Sequence, residues 1–89
     1  MVWAAFKKNP INKMSNLTFG QKAVGLSFNP SNDNAVTAAK QGVANLIDQM
    51  NDFRNDPETC QGAKRHASTA ITMFEDAQMR AVKALTWKD

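Results

Sequence analysis

Cys60 is the only cysteine in this 89-residue chain, and His66 is the only histidine. A lone cysteine excludes an intrachain disulfide. A lone histidine, with no cluster of Cys, His and carboxylate around it, leaves no ligand set for a metal. A chain this short buries a small fraction of its surface and often needs disulfides, metals or association to stay folded. Association is what remains. Long apolar runs are also missing: none reaches the length of a membrane span, and MVWAAFKKNP lacks the hydrophobic core of a signal peptide. With one thiol and no span, the expected compartment is the cytosol, without a membrane partner.

Acid is missing from the first third. Residues 1–31 carry Lys7, Lys8, Lys13 and Lys22 with no Asp or Glu, whereas residues 32–56 set Lys40 and Arg54 against Asp33, Asp48, Asp52 and Asp56. A cationic N-terminal third suits an anionic ligand, or is simply a solvated tail. Met14-Ser15-Asn16 offers an alternative start. Residues 1–14 are therefore expected to be an N-terminal extension, and residues 15–89 a single helical hairpin domain.

After Gly62 neither proline nor glycine occurs. Asp56-Pro57-Glu58 supplies an N-cap carboxylate, a proline suited to the first helical position and an acid in the first turn. This predicts a helix from about Pro57 to about Trp87, about 45 Å long. Along it Ala63, Ala67, Ala70, Phe74, Ala77, Ala81 and Ala84 alternate at steps of four and three. That is a seam of small side chains, built for close approach by another helix.

A preceding helix is expected to begin near residues 32–34 with an Asn or Asp cap. Its buried stripe reads Val36, Ala39, Val43, Leu46, Met50 and Phe53, broadened by Ile47. The Asn- and Asp-rich stretch 51–55 should end it in a short turn, which makes the two helices antiparallel. Residues 15–31, interrupted by Gly20, Gly25 and Pro30, predict a short helical turn over 19–24 and then an ordered loop. The fold class is all-α: a helical hairpin that exposes more apolar stripe than it covers, and so assembles into a symmetric oligomer.

No catalytic constellation is present, and no cofactor is implied. His66 has only Ser68 and Thr69 near it, on the same helix rather than at a strained turn. Cys60, expected in the first turn of the second long helix, is a passive small residue or a thiol activated by the helix N-terminus. The spacing from Gly20 to Gly25 lacks the Lys-Ser/Thr of a phosphate loop.

Two other groupings bear on binding. Phe28-Asn29-Pro30-Ser31 combines an aromatic ring with amide and hydroxyl groups, which suits a nucleobase that stacks and has its edges read. Lys40 follows as a phosphate contact. Read alone, the grouping is a weak signal, because a phenylalanine in such a place is more often a core plug. Arg65, Thr69, Thr72, Asp76, Arg80 and Lys83 form a polar stripe beside the alanine seam. It is a solvated face with intrahelical ion pairs, or it gathers Arg65 from several subunits around an anionic ligand.

VGLSFNPSNDNAV, LIDQM and ITMFEDAQMRAVKALTW resemble the phage anti-CBASS cyclic-oligonucleotide sponge family, whose hairpin domain also occurs in anti-Thoeris sponges. The resemblance spans about residues 17–87 and looks closest to members from T-even-like phages. It implies a homohexamer of helical hairpins that performs no catalysis. Such an assembly holds cyclic dinucleotides and cyclic trinucleotides of bacterial immunity away from their effector, in the cytoplasm of the infected host. By position, the family's stacking aromatic falls on Phe28, with Asn29 and Ser31 beside it, and its phosphate-binding lysine on Lys40. The family residue at Phe28 is commonly tyrosine, so the ring face is kept and the hydroxyl is lost. Arg65, with Thr69 one turn on, would serve a separate trinucleotide site.

The alternative is a small helical nucleic-acid-binding or regulatory phage protein. A third reading is an assembly subunit without a small ligand. Neither helix concentrates Arg and Lys with base-reading amides on one face, so duplex nucleic acid is not an expected partner.

Overall fold

The computed structural model describes residues 16–29 and 33–88. The predicted N-terminal extension and Ser31 lie outside the described residues. Three helices follow in order: α1 (Phe19–Ala23), α2 (Asn34–Arg54) and α3 (Gln61–Leu85). The chain is all-α, with no strand among the described residues, and α2 and α3 form the hairpin.

The short helix α1 is held by its ends. Thr18 and Gln21 form a capping box: the Gln21 amide donates to Thr18 Oγ1 at 3.1 Å, and the Thr18 amide donates to Gln21 Oε1 at 3.0 Å. At the other end Gly25 takes a positive φ of 64°, which costs glycine nothing. Its amide donates to the Lys22 carbonyl at 3.1 Å, and that of Leu26 to the Gln21 carbonyl at 3.0 Å. These two bonds make a Schellman stop. A further bond crosses to α2, where Asp48 Oδ1 accepts from the Gly20 amide at 2.6 Å.

Asp33 caps α2, its carboxylate accepting from the Ala35 amide at 2.8 Å. Four positions of α2 are buried: Val36, Lys40, Ala44 and Ile47. The line of burial is thus rotated from the predicted stripe. Val43 and Met50 are packed at its flank, but Leu46 and Phe53 are 44% and 45% exposed. The reason is that α1 also packs on α2, on the side of Ala44 and Asp48, and draws the buried line toward itself. Residues 51–54 remain helical rather than forming the turn, which starts at Asn55.

The start of α3 also differs from expectation. Cys60, not Asp56, is its N-cap residue, and it makes no side-chain cap bond. Asp56-Pro57-Glu58-Thr59 instead closes a β-turn, with the Thr59 amide donating to the Asp56 carbonyl at 3.0 Å. The Asp56 carboxylate caps that turn through the Glu58 amide at 2.9 Å, and the Thr59 hydroxyl donates to the Phe53 carbonyl at 2.9 Å. Asp before Pro serves a turn as readily as a helix start, and here the turn wins because it also caps the end of α2.

The core is small: Val24, Ala44, Ile47 and Ile71, with Ala23, Leu26, Val43, Met50 and Phe74 packed around it. On α3 the buried positions are Ala67, Ile71 and Gln78, so the hairpin covers only one edge of the alanine seam. Ala77 and Ala84 stay exposed, and Met73 between the seam and solvent is 64% exposed. No helix among the described residues is long and apolar enough to cross a membrane.

Candidate ligand-binding site

Phe28 lies in the loop that follows α1, and it is 70% exposed. Among the described residues the ring fills no core, which bears on the choice left open by the sequence. Beneath it lies Lys40, 5% exposed, whose Nζ stands 5.5 Å from the ring centroid. The ammonium donates to the Gly25 carbonyl at 3.0 Å and to the Phe28 carbonyl. Both acceptors are neutral carbonyls, so no carboxylate is among the hydrogen-bond partners of the ammonium behind this exposed ring. A cation at this distance is attracted by the ring quadrupole.

Asn29 anchors the other side of Phe28. Its Nδ2 donates to Thr37 Oγ1 at 2.9 Å and to the Asp33 carbonyl at 3.0 Å. The loop is therefore fastened to the first turns of α2 both before and after the aromatic residue. The structure brings together three of the four residues predicted for a dinucleotide site, Phe28, Asn29 and Lys40; Ser31 is outside the described residues. Two further members went unread in the sequence: Thr37, and Gly25 as both the left-handed residue and a Lys40 acceptor. The first carried no signal, since an exposed threonine on a helix is common. The second was read in the sequence only as a break in regularity, and its carbonyl's role as a Lys40 acceptor is a tertiary contact.

Arg65 and Thr69 stand apart from this cluster, on α3. Both are exposed, and the Thr69 hydroxyl donates to the Arg65 carbonyl at 3.1 Å. All six members of the polar stripe are exposed, from Arg65 to Lys83. Arg54, from α2, is engaged within the chain: it donates to Ser68 Oγ at 3.0 Å and lies 5.4 Å from the Phe19 ring centroid.

A concavity of about 910 Å³ opens between the start of α1 and α2, lined by groups that include Thr18, Gln21, Gln41, Asn45, Asp48 and Asp52. Among the described residues its lining holds two carboxylates and no lysine or arginine. That charge is wrong for a phosphate-bearing ligand, and the amides there already bond one another, Gln21 to Gln41 at 3.1 Å and Gln41 to Asn45 at 2.8 Å. The better anion site is the smaller, cation-backed surface at Phe28. No group of three or more His, Cys, Asp or Glu among the described residues is placed to hold a metal ion.

The model of the Acb2/Tad1 hairpin domain family matches residues 21–86, well over half of the chain. The chain belongs to this family. The match takes in most of α1, the Phe28 loop and both helices of the hairpin. At the level of the family, membership carries a sponge-type anti-defence role without catalysis. No curated protein and no solved structure gives a significant match.

Proposed function

We propose that this member of the Acb2/Tad1 hairpin family sequesters cyclic dinucleotide and cyclic trinucleotide second messengers of bacterial CBASS immunity, without catalysis, as a homohexamer in the cytoplasm of the infected host. The observation that carries the reading is Phe28: an exposed ring, held in place and backed by a buried cation. Such a surface offers a π-face for a base and positive charge for the phosphates attached to it. Stacking of this kind contributes about 1–3 kcal/mol per base. Asn29 and Ser31 follow the ring and supply polar groups for base edges, while Arg65 and Thr69 serve the trinucleotide at a second place on α3.

Two features support assembly. The described residues span only 16 Å between Cα positions in their shortest dimension, so much of this unit is surface. The uncovered edge of the alanine seam, with Met73 beside it, lets a second helix approach closely. Symmetric copies would then present several sites from one small chain. The assembly acts by mass action and must bind more tightly than the effector; nanomolar affinity corresponds to about −12 kcal/mol.

Calorimetric titration of the intact chain with a cyclic dinucleotide, and separately with duplex DNA across a salt series, tests the reading. Tight dinucleotide binding with weak salt dependence supports it. DNA binding that collapses steeply with salt would favour the nucleic-acid alternative instead.

A further inference from the structure

Phe28 is unusually well fastened for a residue so exposed. Lys40 Nζ reaches the carbonyls of Gly25 and Phe28, the two ends of the turn, and the Phe28 amide itself donates to the Gly25 carbonyl at 2.9 Å. One residue on, Asn29 Nδ2 is shared between Thr37 Oγ1 and the Asp33 carbonyl. Thr37 and Lys40 are three residues apart on α2, so one helix face fastens both sides of the ring. Two of the three ammonium N–H groups are committed to carbonyls, and Lys40 is 5% exposed. A lysine so placed acts on a ligand chiefly through the loop it holds.

We propose that Thr37 and Lys40 are positioning residues, which set the Phe28 ring in its stacking attitude before any ligand arrives. The proposal rests on the reading of Phe28 as the stacking residue and deepens it. Ordering a loop at the moment of binding subtracts from affinity, whereas a loop ordered on folding does not. Hydrogen bonds from a charged donor are about twice as strong as neutral ones, so the Lys40 pair suits this task. Thr37 is exposed, and its hydroxyl accepts from Asn29 across eight residues of chain.

The test uses the full chain with Thr37→Val, Thr37→Ser and Lys40→Met. Thr37→Val keeps the branched shape and removes the hydroxyl; Thr37→Ser keeps the hydroxyl and serves as the conservative control. Without ligand, amide hydrogen exchange at Phe28 should quicken about tenfold in Thr37→Val and Lys40→Met, with exchange at Ile47 and Ile71 unchanged. Thr37→Ser should keep the parent rate. Affinity for a cyclic dinucleotide should fall about tenfold in the same two variants, and adding Thr37→Val to Phe28→Leu should cost nothing further, because Thr37 acts only through the ring. Unaltered exchange at Phe28 in either variant, or a Thr37→Val loss that adds to that of Phe28→Leu, would overturn the proposal. A parent chain that fails to bind dinucleotide would defeat the functional reading instead, and the exchange measurement would still decide whether the two residues hold the loop.

Discussion

The backbones of Gly20 and Ala44 meet so closely that a methyl group on the glycine would sit 2.1 Å from the Ala44 carbonyl oxygen. That contact seats α1 on α2, and the Gly20 amide bonded to Asp48 fixes it there. Because α1 leads directly into the Phe28 loop, the fit at Gly20 also sets where the loop begins. Gly20→Ala should therefore lift α1 and destabilise the chain by about 1–3 kcal/mol, the usual cost of overpacking. Denaturant unfolding measures it; Gly42→Ala, which meets nothing within 4 Å, is the control and should leave stability unchanged or improve it.

Phe28→Ala should leave folding stability within about 0.5 kcal/mol of the parent, since the ring is exposed and such surface changes are mild. It should weaken cyclic dinucleotide binding by about 1–3 kcal/mol for each base that stacks. Phe28→Tyr should retain binding, because the face of the ring survives. Calorimetry alongside thermal unfolding separates the two effects, and parent-like binding by Phe28→Ala would return the ring to a structural role.

The hairpin was legible because helical periodicity depends only on which residues are apolar and how far apart they lie. Asp33 and the long interval after Gly62 gave the helices their extent. The rotation of the buried line on α2 was not legible: Lys40 reads as polar and so as outward, yet the acceptors that bury it belong to a loop twelve to fifteen residues earlier. Asp56-Pro57-Glu58 misled for a related reason. The same residues cap a turn or a helix, and the Thr59 bond to Phe53 that favours the turn is formed only once α2 has ended there. Of the site, the aromatic and the cation were visible as residue types. Their pairing was anticipated through the family resemblance rather than any local pattern, and the part of Thr37 comes from a tertiary contact that no local pattern encodes.

Ala77→Glu tests the assembly. Ala77 is exposed in the single chain, so the carboxylate strains nothing within one hairpin. If a second helix packs on the alanine seam, the charge is buried without a partner at a cost of several kcal/mol, and the oligomer should split. Sedimentation velocity should show hexamers for the parent and smaller species for the variant. A folded, monomeric parent would refute the proposed assembly.

Arg65→Ala should weaken cyclic trinucleotide binding strongly, since each guanidinium–phosphate bond contributes about 1.5–3 kcal/mol and symmetry would repeat it. Dinucleotide binding should be almost unaffected, because Arg65 lies on α3 and outside the Phe28 cluster. Phe28→Ala should do the reverse. Competition titration on the parent checks the separation: one-for-one displacement of trinucleotide by saturating dinucleotide would mean a shared site.

Sequestration without chemistry is the central claim, and ligand recovery tests it most directly. The purified assembly is saturated with a cyclic dinucleotide, freed of unbound ligand by gel filtration, and denatured; the released material is then identified by mass spectrometry. The account predicts stoichiometric recovery of the unaltered cyclic dinucleotide, and little or none from Phe28→Ala. Recovery of a linearised or hydrolysed product, or no retained ligand from the parent at micromolar concentration, would contradict it.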